Sequence, residues 1–443
     1  MNTPSAAQSA SGGSRTLLFI VLAGSFTLCQ FLRSAFAVIA PEMAQEAALS
    51  ARDLGIITSS FFFAVAAMQL PAGVLFDRYG VRYTASLTLA VGVLGGFIFA
   101  RGESFGAFVL GQTLLGLGTG GLFMGSVVLI GRWWPAGRFA AMSGLLMSCG
   151  YSGNLLATTP LAWLSQEIGW RWALQIIVAL LAISALLIAA IVRDAPPGHA
   201  WSKRQPENIG SIVRGLSEVL RNPVTPGLFA AAFIGYSTTF ALRGLWLGPY
   251  MLDVHGLSAI ARGNYLLLFS ALGSIGIFAA GYVAGRMASP RPVVIGCASV
   301  TLLSLIAMVV LKAPPELLFV PILSVFALVS NFYPAVLAHG QGTYPERLRG
   351  RSLTTVNLAV FMGVGVTQLA SGYIINAFAD ELGHGAGGAH PEIAYRWMFV
   401  YLAGTVALGI VIYAWLAKFK PRRDPSSDPS SGGPAPTPTE IVA

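Results

Sequence analysis

The feature that most constrains this chain is a succession of long apolar runs separated by short polar breaks. Each run is about 18–28 residues, enough for a helix rising 1.5 Å per residue to cross the hydrocarbon core of a bilayer. Twelve runs qualify: 16–40, 54–76, 83–100, 105–131, 139–163, 171–193, 225–251, 263–286, 292–311, 317–340, 351–378 and 394–417. Within lipid, backbone groups must be satisfied inside the spanning segment, so the expected class is an all-α integral membrane protein. Only 10% of the 443 residues are charged and 55% are hydrophobic. That balance excludes a disordered chain, a disulfide-stapled secreted domain and an ordinary soluble enzyme. The 51 glycines have no three-residue period, which excludes collagen and suits membrane helices, where Gly is tolerated. Cys29, Cys149 and Cys297 lie in apolar runs without CxxC or Cys/His spacing and read as small hydrophobic residues.

Direction follows from the basic residues. With the N-terminus on the cytoplasmic side, 19 of the 27 Lys and Arg fall in cytoplasmic segments and six on the opposite side. The positive-inside rule then gives both termini cytoplasmic. It also accounts for the net charge of +9 as a topology signal and gives no reason to expect nucleic acid as a partner. Arg outnumbers Lys 23 to 4, a bias of GC-rich bacterial genomes, so the expected location is a bacterial inner membrane. No small-residue cleavage site precedes the first run, which is therefore expected to remain as a helix. The expected organisation is a cytoplasmic tail (1–15), a six-helix bundle (16–193), a cytoplasmic linker (194–224), a second six-helix bundle (225–418) and a disordered tail (419–443). Within the linker, Ile209, Ile212, Val213, Leu216, Val219 and Leu220 recur at helical spacing and predict a short amphipathic helix.

The two halves repeat one another. RWWPAGRFAAMSG (132–144) and TYPERLRGRSLTT (343–355) each follow the fourth helix of their half, and Pro135 and Pro345 are 210 residues apart. GWRWAL (169–174) recurs as AYRWMF (394–399). Internal repeats of this kind are common in secondary transporters, whose halves rock around a site at their interface.

The break between helices 2 and 3, GVLFDRYGVR (73–82), resembles the loop motif of the major facilitator superfamily, G-x-L-x-D-R-x-G-x-R. It matches at Gly73, Leu75, Asp77, Arg78, Gly80 and Arg82. The resemblance implies twelve transmembrane helices in two pseudo-symmetric six-helix bundles. It also implies a cytoplasmic gate formed by Gly73, Asp77, Arg78, Gly80 and Arg82, with Arg138 nearby. A carboxylate at the end of helix 2 can meet the positive end of helix 11 and nearby arginines, which gives Asp77 a physical reason to act there. Gly285 stands where the second half would carry the acid, so the lock is expected to be asymmetric. Two departures speak against proton-driven drug efflux. Gln112 occupies the position where proton-coupled members often carry arginine, and the segment 144–154 lacks the Gly-Pro pair of drug/proton antiporters.

Arg33 in helix 1 and Arg243 in helix 7 are also 210 residues apart, so pseudo-symmetry predicts that they face one another. A mid-helix arginine costs about 2.5–3.5 kcal/mol to insert and so faces water or a partner. All 18 Asp and Glu fall in loops, tails or helix ends, with Glu42 and Asp253 nearest. Two guanidinium groups without a carboxylate suit a carboxylate or phosphate ligand. The alternative is that both snorkel to the membrane surface. With this pair the chain resembles the organophosphate:phosphate antiporter and organic-anion branches of the superfamily. The resemblance implies substrate binding by Arg33 and Arg243. The Lys and His of phosphate-ester carriers have no match, and His339 is the only histidine within a span. Gln30, Tyr151, Asn154, Tyr236, Trp246, Asn331, Tyr333 and Asn357 are further candidates, each either cavity-lining or bonded between helices. Phe61, Phe62 and Phe63 read as packing or lipid-facing, and His384 and His390 as loop residues, with no metal and no cofactor expected.

The expected function is therefore alternating-access transport of a small organic anion by a monomer in the lipid bilayer. The coupled species is a counter-transported anion or a proton. The rival readings are a drug or metabolite efflux carrier and a transporter-fold sensor. No nucleophile–base set or phosphate-binding glycine loop points to an enzyme.

Overall fold

The computed structural model describes residues 6–196, 214, 217–344, 346–381 and 389–417. His384, the tail from 419 and most of the expected linker lie outside them. Of that linker's helix, residues 217–221 are described and are helical. Among the described residues, twelve crossings run up and down. The first three are Ala6–Glu46, Ala51–Tyr79 and Val81–Arg101. Crossing 4 is Phe105–Thr119 continued by Leu122–Trp133, crossing 5 is Ala136–Leu156 continued by Thr159–Ile168, and crossing 6 is Trp170–Ile191. Crossing 7 is Thr225–Ala241, a π-helical turn Leu242–Trp246 and Leu247–Asp253. Crossings 8 and 9 are Ala259–Arg286 and Arg291–Leu311. Crossing 10 is Glu316–Val329 continued by Tyr333–Thr343, and the last two are Glu346–Glu381 and Glu392–Leu416.

Eleven of these are long and apolar enough to cross a membrane. The fifth falls outside that group because Ser143, Ser148, Tyr151, Ser152 and Asn154 dilute its apolar character. Crossing 6 shows the opposite extreme. Its Ile183 and Leu186 are 52% and 70% exposed, a face suited to lipid tails, while Leu181, Ala185 and Ile188 are buried.

Four crossings are interrupted where the sequence reading expects continuous helices. Crossing 4 breaks at Gly120–Gly121, and the Gln69 side chain donates to the Gly120 carbonyl at 3.3 Å. Crossing 10 breaks at Ser330–Phe332, 210 residues later, before Pro334. The offset of the prolines and arginines thus reappears in the backbone. Crossing 5 breaks at Ala157–Thr158 before Pro160, since a proline supplies no N–H to the preceding turn. Freed carbonyls at membrane depth are tolerated where protein groups satisfy them.

The 73–82 loop is fixed from a direction the sequence did not suggest. Asp77 is exposed and pairs with no described residue. Instead, Asp194 at the end of crossing 6 accepts the N–H of Val81 at 2.5 Å and of Arg82 at 3.1 Å, capping crossing 3. Gly80 has φ +82°, and a Cβ there would come 2.5 Å from the Asp194 carboxylate, so conformation and space both demand glycine. Arg82 Nε donates to the Ala189 carbonyl at 2.7 Å, and Trp133 Nε1 to the Arg193 carbonyl at 2.9 Å. Gly73 is half-buried beside Met124, while Arg78 and Arg138 are exposed. Arg78 lies 5.5 Å over the ring of its neighbour Tyr79.

Within the first half, crossings 1 and 5 meet at Gly153, where a Cβ would lie 2.1 Å from the Thr27 carbonyl oxygen. Small residues at such crossings bring membrane helices together by van der Waals packing. Gly153→Ala should therefore destabilise the chain by about 1–3 kcal/mol or more, read as a lowered melting temperature in detergent, whereas Gly137→Ala, with open space around it, should leave that temperature within a few degrees of the parent. Gly80→Ala should destabilise by about 2 kcal/mol through its left-handed backbone and the collision with Asp194, read as a lowered melting temperature. A Gly80→Ala chain as stable as the parent would contradict the docking of the loop on Asp194.

Candidate functional site

The π-helical turn in crossing 7 carries Arg243. Such turns insert one residue into an α-helix and recur at functional sites. Arg243 lines a small cavity that the second half builds almost alone. Crossing 7 contributes Thr239 and Arg243, crossing 8 Ser270 and Ser274, and crossing 10 Asn331. From the first half only Tyr151 and Asn154 of crossing 5 reach it. Arg243 Nη1 donates to Ser270 Oγ at 3.0 Å, and Tyr151 and Tyr236 lie within its electrostatic reach. Its guanidinium is 5.0 Å over the Phe240 ring. No carboxylate pairs with it among the described residues, and a guanidinium carries five N–H donors.

Arg33 is elsewhere on the interface between the halves. Its guanidinium is 5.1 Å over the ring of Phe361 in crossing 11, and its Nε is buried without a hydrogen-bond partner. Gln30, one turn earlier on the same helix, is 7% exposed with an unpartnered Oε1. The two arginines are thus not twin walls of one cavity, although both are held away from acids. An aromatic series links them. Phe361 meets Tyr236 edge-on with centroids 6.3 Å apart, and Tyr236 stacks on Phe240 at 4.4 Å. Each guanidinium therefore rests on an electron-rich face at one end of the series, which partly offsets its lost hydration.

The remaining candidates divide. Tyr151, Asn154 and Asn331 line the cavity, and Asn154 Oδ1 also accepts from Ser34 Oγ at 2.6 Å. Trp246 is fully buried and donates to Ser371 Oγ at 2.7 Å, an interhelical bond outside the cavity. Tyr333 donates to Asn357 Oδ1 at 3.3 Å, and Asn357 Nδ2 to Gln69 Oε1 at 3.0 Å, so these two belong to a polar strand joining crossings 10, 11 and 2. Phe62 packs across the halves on Phe240 at 5.8 Å, and Phe61 is buried on it. Phe63 packs against Gly365. His339 is buried against the Tyr413 hydroxyl at 2.7 Å, away from the cavity. The sequence reading missed Thr239, Ser270 and Ser274. Two serines four residues apart in LLLFSALGSIG are the signal that could have found the latter pair.

Known proteins agree with this architecture. The bacterial homologue of the human lysosomal transporter Spinster, in an inward-facing and occupied conformation, superposes with a TM-score of 0.76 at 19% identity, covering 92% of this chain and 97% of that one. The hexuronate transporter of Bacillus subtilis (strain 168) is 26% identical over 272 residues, 60% of this chain and 63% of that protein. A putative tartrate transporter of Agrobacterium vitis is 24% identical over 276 residues, 56% and 59% of the two chains. The efflux pump aunC of Aspergillus niger is 31% identical over 153 residues, 34% of this chain and 29% of that one. The chain thus spans about three fifths of the length of these two bacterial relatives. The sequence pattern of the Major Facilitator Superfamily covers residues 22–359. The chain belongs to this superfamily of membrane transporters and is not an enzyme.

Proposed function

We propose that this transporter carries a small organic anion, a carboxylate or phosphate ester, by alternating access. The observation that carries the reading is Arg243: a guanidinium with no acidic partner among the described residues, in a cavity otherwise lined by hydroxyl, amide and apolar groups. Its fork matches a carboxylate. Ser270, Ser274, Thr239 and Asn331 suit hydroxyl groups beside that carboxylate, so a hydroxylated carboxylate fits this lining best. The printed names of two relatives, a hexuronate and a putative tartrate transporter, support the same class. Arg33 and Gln30, with buried unpartnered atoms on crossing 1, supply the second pole as the halves move around the cargo. The loop 73–82 gates the cytoplasmic side. The basic-residue bias supports a bacterial inner-membrane location with both termini cytoplasmic, and the chain works as a monomer.

Exchange against a second anion, or facilitated movement, accounts for coupling without a central carboxylate. His339 is held by Tyr413, which leaves it a poor proton carrier for this cavity. The match to an efflux pump supports a second reading, export of neutral or cationic compounds. That reading predicts indifference to loss of either arginine.

Uptake by proteoliposomes of labelled hexuronates, tartrate, monocarboxylates and sugar phosphates separates the two. Arg243→Ala should lower uptake of the transported anion at least about 30-fold at subsaturating concentration, since hydrogen bonds to charged groups contribute about 1.5–3 kcal/mol each. Arg33→Ala should reduce it about tenfold and Ser270→Ala only a few-fold, the latter being a neutral contact. Uptake of an anion that survives both arginine substitutions would overturn the assignment.

A further inference from the structure

The halves meet unequally along their interface. On the face opposite the 73–82 loop, the distal face, polar contacts cross from one half to the other. Arg262 Nη2 in crossing 8 donates to Glu42 Oε1 in crossing 1 at 2.6 Å. Thr159 Oγ1 in crossing 5 donates to Asn264 Oδ1 in crossing 8 at 2.9 Å. Arg52 lies 5.0 Å over the Tyr373 ring. Backbones also close on this face: a Cβ at Gly372 would come 2.9 Å from the Ala51 carbonyl oxygen, and one at Gly248 2.2 Å from that of Ala37. Toward the loop, by contrast, Gly144 of crossing 5 and Gly285 of crossing 8 both look onto open space.

Arg262 is the charged centre of this closure. It is only 5% exposed, yet its Nε and Nη1 are buried without hydrogen-bond partners, as is Glu42 Oε2. A second carboxylate, Asp253 at the end of crossing 7, is within its electrostatic reach. Asp253 is itself tied within the second half, accepting from the Tyr395 hydroxyl at 2.6 Å and the His390 N–H at 3.0 Å. Arg262 therefore keeps one acid in its own half and borrows the other from the opposite half. When the halves part here, only Glu42 has to be given up. The Glu42 side chain is 36% exposed, so water can take over its solvation as it leaves.

We propose that the Glu42–Arg262 ion pair is the latch of the distal gate. Its formation seals this face, and its rupture is a required step in opening that face to cargo. Asp253 is the positioning residue that holds Arg262 in place while the latch is open. The proposal rests on the alternating access argued above and is independent of which compound is carried.

The test measures distance and needs no ligand. In the full chain with Cys29, Cys149 and Cys297 replaced by alanine, spin labels are attached at Gln45→Cys and Ile260→Cys, exposed positions on either side of the latch. Electron–electron double resonance in nanodiscs should give one dominant short distance for the parent. Glu42→Gln should raise the ratio of long-distance to short-distance population about tenfold, the population ratio that corresponds to about 1.4 kcal/mol. Glu42→Asp, which keeps the charge, should retain most of the short distance. Arg262→Gln should open the face as Glu42→Gln does. Glu42→Gln is the deciding variant, because it leaves Arg262 beside Asp253 in an intact second half. Superimposable distributions for the parent and Glu42→Gln would overturn the proposal, as would a Glu42→Asp chain as open as Glu42→Gln. Failure of the anion assignment would leave these distances unchanged, so the two ideas fail separately.

Discussion

A guanidinium kept from bulk water and from every described carboxylate is the group around which this protein has to be built. Burying an unpaired charge costs several kcal/mol, and the chain offsets part of that cost in a specific way at Arg243. The side chain rests over Phe240, donates one hydrogen bond to Ser270, and otherwise faces a cavity. These partners carry no charge, so the positive charge is left uncompensated for a ligand. Arg33 follows the same logic on Phe361, at the other end of an aromatic series that runs through Tyr236. A carboxylate arriving between the halves would give the guanidinium a partner of opposite charge that can accept two parallel N–H bonds, where it now has uncharged partners. That difference gives the cargo a means of biasing the conformational equilibrium.

The architecture divides labour between the halves. The second half supplies most of the cavity, while the first contributes Tyr151 and Asn154 and the charged partner Glu42. The loop end of the first half is internally clamped: Asp194 caps crossing 3 across Gly80, and Arg82 reaches Ala189. A clamp of this kind makes the bundle move as one piece. Contacts that must break during a transport cycle are then confined to the seam between bundles, where hydrogen bonds between described residues, such as Asn357–Gln69 and Thr159–Asn264, are individually modest.

The spans were legible because length and apolarity alone specify a membrane helix. The gap near residue 102 is a case in point: Gly102 is extended and Ser104 caps the next helix, as short polar breaks imply. The superfamily followed from a loop whose glycine has a conformational necessity. What pattern could not supply was phase. The equal spacing of Arg33 and Arg243 suggested mirrored positions, but crossing 7 inserts a π-helical turn at Arg243 while crossing 1 runs as α-helix through Arg33. One added residue rotates everything beyond it by about 100°, and no composition signal marks it. For Trp246 the sequence left two alternatives open, cavity lining or an interhelical bond, and the side chain is bonded to Ser371. Asp77 carried the motif, yet the carboxylate in contact is Asp194, more than a hundred residues away in sequence. Long-range partners of this sort are invisible without three-dimensional information. Glu42 and Arg262, each unremarkable at a helix end, meet only because the bundles do.

The central claim is that the cavity recognises negative charge, and charge can be varied at nearly constant shape. Isothermal titration of the purified chain with D-glucuronate and with D-glucose compares a carboxylate with a hydroxymethyl group on the same ring. The account predicts heat of binding for the uronate, none for the neutral sugar, and loss of that preference in Arg243→Gln. Equal binding of the two sugars by the parent, or an undiminished preference in Arg243→Gln, would contradict it.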